Sequence, residues 1–159
     1  MIKKLLTVSL LASVSLLNAT EFDTKVSVGA TAAKMDGDSY TQYGIGYTAN
    51  TALNGGIILG FGNSAYYGNV NSGVEVVSLD MDLRAGYEVL KDLRVFALGT
   101  GVYQYIDDSD ATGLGYGASL EYKLTQTVSL EGSYKTTDMN YSRGDYDYDA
   151  ANFAVKFNY

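Results

Sequence analysis

The chain of 159 residues contains no histidine and no cysteine. A Ser-His-Asp relay or a His-ligated metal cannot be built from it, and no disulfide framework can staple it. The remaining residues that could do chemistry are charged. Lys25, Asp80, Asp82, Arg84, Glu121, Lys123, Glu131, Lys135 and Lys156 each fall on the polar phase of a segment whose alternate residues are apolar. Charges gathered on the inner face of a closed sheet must be paired to tolerate burial. The expectation is therefore a structural interior ion-pair network, with a catalytic or ion-conducting site as the alternative use of the same groups.

Three other motifs carry weaker signals. Gly113-Leu114-Gly115-Tyr116-Gly117 has the glycine density of a nucleotide loop, but no helix follows it and it sits within an alternating segment. Asp107-Asp108-Ser109-Asp110 and Asp145-Tyr146-Asp147-Tyr148-Asp149 could offer carboxylate oxygens to Ca²⁺, yet their spacing matches no EF-hand loop, and solvated acidic loops account for them. Arg143-Gly144-Asp145 has the form of an integrin-binding tripeptide, while a glycine turn between charged residues explains it as turn chemistry. No cofactor and no metal are expected.

The elements that must position these residues are strands, because the dominant period is two. Val77, Leu79, Met81, Leu83, Ala85 and Tyr87 alternate with Ser78, Asp80, Asp82, Arg84 and Gly86. Leu114 to Tyr122 and Ala151 to Tyr159 repeat the pattern. Read as helices, these stretches would spread charge around the whole circumference. The alternation predicts eight strands at 24–34, 40–49, 54–63, 75–88, 93–105, 113–123, 127–137 and 148–159. In 93–105 either phase could face outward; odd positions outward is the reading that places Arg94, Thr100 and Gln104 inside.

The links predict the arrangement of the ends. Tyr47 to Leu53, Tyr87 to Leu93 and Tyr122 to Val128 share one spacing, a weak internal repeat with one copy per hairpin. The intervening links (Asp36 to Ser39, Asn63 to Gly73, Asp107 to Thr112 and Asp138 to Asp147) are polar and read as longer loops. Short turns at one end and long loops at the other describe an up-and-down transmembrane β-barrel with periplasmic turns. Tyr47, Tyr87, Tyr122 and Tyr159 close the apolar faces of alternate strands, which suits a periplasmic aromatic girdle, since a phenol has an apolar body and a polar tip. A soluble β-sandwich would pack tyrosines into its core without placing one at every second strand end.

Composition agrees. The chain has 18 glycines, 15 tyrosines and no proline, which suits curved sheet. Met1 to Lys4 is basic, Leu5 to Leu17 is apolar, and Ala19 offers a small residue for cleavage. This is the pattern of a signal peptide over 1–19, too short for the ~20 residues of a spanning helix. Residues 20–159 then form one domain in the cell outer membrane, exported through the Sec pathway. A net charge of −7 argues against a nucleic-acid partner.

The signal segment, the alternating strands and the terminal Phe153-x-Val155-x-Phe157-x-Tyr159 resemble the small outer-membrane barrels of the OmpA/OmpX type. The resemblance covers the whole mature chain at the level of pattern and implies an all-β, eight-stranded antiparallel barrel. It also implies that Phe153, Val155, Phe157 and Tyr159 act as an assembly signal for the barrel-assembly machinery. The chain ends with the barrel and shows no peptidoglycan-binding domain of the OmpA kind, so wall tethering is not implied. Enzymes among small outer-membrane barrels rely on a histidine, so a non-enzymatic role is expected. The expected role is a structural, monomeric barrel with a side-chain-filled lumen and acidic loops that meet outer-membrane lipid, lipopolysaccharide or extracellular partners. A narrow porin-like channel and a surface adhesin are the alternatives.

Overall fold

The computed structural model describes residues 22–53, 55–70, 73–106, 109–142 and 144–159. The expected signal segment 1–19, Asp107, Asp108 and Arg143 lie outside the described residues. Eight strands follow in order: β1 Asp23–Met35, β2 Asp38–Ala52, β3 Ile57–Val70, β4 Val74–Leu90, β5 Leu93–Ile106, β6 Ser109–Lys123, β7 Val128–Tyr141 and β8 Gly144–Asn158. Each pairs antiparallel with its neighbours, and β8 returns to β1 through pairs such as Val28↔Val155 and Val26↔Phe157, closing the barrel. Closure leaves no open edge, so every strand satisfies its backbone within the sheet. In lipid that is a requirement.

Alternation sets the faces, as a period of two must. Val26, Val28, Tyr43, Ile45, Leu79, Leu83, Leu114, Tyr116 and Phe153 are exposed on the outside, while Lys25, Thr31, Gln42, Ser78, Asp80, Arg84, Glu121 and Lys156 are buried inside. In β5 the odd residues face outward: Arg94, Thr100 and Gln104 point inward, with Phe96, Leu98 and Val102 beside them.

The strands are longer than the ~9–11 residues that span lipid, ranging from 13 in β1 to 17 in β4. The difference corrects the expected long loops. Asn63 pairs with Met81 and Val70 with Val74, so most of that link belongs to a hairpin. Likewise Asp138 faces Asp147, and Asn140 faces Asp145. Asp36 and Gly37 alone turn β1 into β2, both with positive φ (48° and 95°). This is the backbone of the tight two-residue hairpin that Asp-Gly favours. The expected contrast in loop length between the two ends is therefore absent. The contrast lies in the outer wall instead, because the ends of the strands away from the chain termini carry Glu75, Asp110, Asp138, Asp145 and Asp147 exposed on it.

Candidate functional site

Among the described residues, buried charge gathers in the lumen, and its floor lies at the end holding Asp23 and Asn158. There Arg94 Nη1 binds Asp23 Oδ2 at 2.6 Å and lies 3.6 Å from Glu121, while its Nε donates to Glu88 at 3.4 Å. Lys25 bridges Asp23 at 3.3 Å and Glu121 at 2.6 Å. Glu121 and Glu131 face each other across the β6–β7 ladder, an arrangement of like charges that would repel. Lys156 resolves it by lying 2.7 Å from Glu131 and 3.5 Å from Glu121. Arg84 crosses from β4 to grip both oxygens of Glu131, donates to Ser119 at 3.3 Å, and lies 4.3 Å over the Phe96 ring.

Above this, Lys135 reaches across the lumen to Asp80, with Asp82 at 3.3 Å. A neutral polar layer follows. Gln42 and Gln104 both donate to Ser78, at 2.8 and 3.0 Å. Tyr148 donates to Gln42 at 2.9 Å and Tyr146 to Gln104 at 2.7 Å. The far end is apolar: Ala33, Tyr40, Val70, Val76, Val102, Ala111, Met139, Tyr148 and Ala150 form one buried cluster inside the barrel. Eight strands enclose only enough room for side chains. Here those side chains meet at every level.

Interior glycines make the large side chains fit. A Cβ at Gly117 would run into the Tyr134 carbonyl and stand 2.9 Å from Lys135 Cγ. One at Gly86 would collide with the Phe96 ring that carries Arg84. The glycine run Gly113 to Gly117 thus lies within strand β6 as the surface on which Met139, Thr137 and Lys135 of β7 rest.

Eight of the nine charges expected inside join this network. Lys123 does not: it is half-buried at the mouth and has no ion-pair partner among the described residues. Strand β6 carries its side chain past the last buried layer, so its phase is right and its depth is wrong. Asp23 and Arg94 are members that the expected set omitted. Arg94 was legible as inward-facing, but Asp23 precedes the first strand as drawn from sequence. The last strand begins at Gly144 and not at 148, so Tyr146 belongs to it and not to the expected loop: Asp145-Tyr146-Asp147-Tyr148-Asp149 is itself strict alternation, with the acids facing out and the tyrosines in. Tyr87, Tyr122 and Tyr159 are exposed on the outer wall, and Tyr47 packs 6.0 Å from Phe61. Phe153, Phe157 and Tyr159 are exposed on the outer face of the closing strand, with Val155 half-buried between them. No group of three or more carboxylates among the described residues could hold a metal ion.

A model of the outer membrane protein beta-barrel domain family matches residues 5–159. The chain belongs to that family. Solved outer-membrane barrels have the same fold. Neisserial surface protein A is 14% identical, with 87% of this chain and 97% of that chain covered and a TM-score of 0.66. Ail, the attachment invasion locus protein of Yersinia pestis, is 10% identical over 88% of this chain and 100% of its own, with a TM-score of 0.63. The N-terminal barrel of Pseudomonas aeruginosa OprF is 18% identical over 87% and 100%, with a TM-score of 0.53. No curated protein matches the sequence. In this barrel family the strands cross the outer membrane, and the end bearing both termini is the periplasmic one.

Proposed function

We propose that this outer-membrane barrel is a structural, non-enzymatic and monomeric protein. Its lumen is sealed by its own side chains, and its outward strand extensions meet the lipopolysaccharide layer. The observation that carries the reading is the stack of cross-lumen contacts: Lys25 to Glu121, Arg84 to Glu131, Lys135 to Asp80, and Tyr148 to Gln42 beneath an apolar cap. Water-filled pores are built from about 16 strands. Purified protein in planar bilayers should therefore give no stable unit conductance. Reproducible steps that change size when Arg84 or Glu131 is neutralised would make the barrel a channel instead.

The exposed Asp138, Asn140, Asp145 and Asp147 on β7 and β8 supply hydrogen-bonding groups at the level of lipid headgroups and sugars. Ail has been crystallised with a heparin analogue, sucrose octasulfate. The acidic rim of this chain opposes such a polyanion, which weighs against adhesion to sulfated sugars.

The reading includes export through the Sec pathway with residues 1–19 removed, and insertion by the barrel-assembly machinery through Phe153, Val155, Phe157 and Tyr159. Replacing Phe157 and Tyr159 together with arginine places charge on the lipid face of the closing strand, at a depth-dependent cost of up to ~2–4 kcal/mol. The expected result is a loss of outer-membrane protein and accumulation of unfolded chain in the periplasm, read by fractionation and heat-modifiable gel mobility. Unchanged insertion of the double variant would refute the assembly role.

A further inference from the structure

Asn63 interrupts the apolar outer wall. It stands near the middle of β3, which runs from Ile57 to Val70, and its side chain is exposed on the same outward phase as Ile57 and Tyr67. The lipid-spanning part of a tilted strand is ~9–11 residues, so a mid-strand position lies in the hydrocarbon. Its outward neighbours are Phe61 and Ala65 along the strand, with Tyr47 and Met81 opposite it on β2 and β4. All four are apolar or aromatic. No hydrogen bond from the described residues reaches the Asn63 amide. Lipid tails supply none, and a polar group left unpaired among them is costly.

We propose that Asn63 marks a contact between two copies of this chain lying side by side in the membrane. This goes beyond the reading above: the single barrel is the complete folded unit, and the contact is a reversible association of two such monomers. Depth selects the occupant. Two copies inserted in the same direction are related by a two-fold axis along the membrane normal, so each residue lies level with its own counterpart. Asn63 on the axis therefore meets Asn63. A carboxamide is its own complement, because its NH₂ group donates and its oxygen accepts, and two of them close a pair of hydrogen bonds. Lipopolysaccharide headgroups and sugars lie at the strand ends and cannot reach this depth. Ala65, small and next along the outer face, lets the two walls approach closely. Two convex barrels touch over a small area, so the amide pair rather than the buried surface sets the strength of the association.

The test uses the full chain refolded into phosphatidylcholine vesicles. The sequence has no cysteine, so a single introduced thiol reports alone. Ala65→Cys places it beside the contact, and Gly132→Cys places it on β7, across the barrel, where an added Cβ meets nothing within 4 Å. With a short bis-maleimide, Ala65→Cys should give a cross-linked dimer and Gly132→Cys only the background of random encounters. Adding Asn63→Leu to Ala65→Cys should lower the dimer yield about threefold to tenfold, the scale of a hydrogen bond between membrane-embedded segments. Heat-modifiable mobility should be unchanged in that variant, because the substitution breaks no bond within the barrel. A dimer yield from Ala65→Cys no higher than that from Gly132→Cys, or one that Asn63→Leu leaves undiminished, would each overturn the proposal.

Discussion

Replacing Glu131 with leucine should lower the stability of the folded barrel by about 3–5 kcal/mol, the range for breaking a buried ion pair by removing one partner. The effect is large because Glu131 is a node. It holds Arg84 through both carboxylate oxygens and Lys156 at 2.7 Å. Its removal takes the bound carboxylate from two buried cations and leaves Lys156 with Glu121 at 3.5 Å, which already binds Lys25 at 2.6 Å. The measurement is urea unfolding in lipid vesicles followed by gel mobility, since the chain has no tryptophan to report by fluorescence. A double-mutant cycle isolates the cause. Adding Arg84→Met should recover part of the loss, because a vacated buried pair costs less than a half-empty one. A loss below about 1 kcal/mol for Glu131→Leu would mean that water reaches these charges, and the sealed lumen would fall with it.

Replacing Tyr148 with alanine should cost about 3–5 kcal/mol, as deletion of a large buried aromatic does when its surroundings cannot collapse. Tyr148 is 1% exposed and sits where the apolar cap meets the polar layer. Its ring packs in the cap and its hydroxyl donates to Gln42. Barrel walls joined by continuous hydrogen-bond ladders cannot close in on the void. Tyr148→Phe separates the two contributions: it keeps the ring and should cost only about 0.5–1.5 kcal/mol, the net value of one hydrogen bond. The same unfolding assay reads both. If phenylalanine proved as damaging as alanine, the hydrogen-bonded layer would be holding that end of the barrel and the cap would be incidental.

Membership of the outer-membrane barrels, strand number, the inward or outward phase of every strand but β5, where Phe96, Leu98 and Val102 share the inward phase with Arg94 and Thr100, and most of the network charges were legible in the sequence. The reason is that a period of two leaves no freedom: once Leu79 faces lipid, Asp80 must face the lumen. The tertiary structure decided depth. Lys123 and Lys25 share an inward phase, but the register of β6 carries Lys123 out to the mouth, while Lys25 finds Glu121 inside. It also decided where strands end, because polar stretches such as Asn63 to Asn69 pair as readily as apolar ones once a partner strand is alongside. The apolar cap could not be read from alternation at all. Val76, Met139 and Ala150 sit on inward phases that sequence alone marks as polar. Only closure of the barrel brings these residues from separate strands together across the lumen. Glycine presents the same limit: nothing around Gly117 or Gly86 in the sequence points to the Lys135 or Phe96 of the neighbouring strand that occupies the space beside it. Phase is a property of one strand, whereas depth, closure and filling belong to eight strands in register.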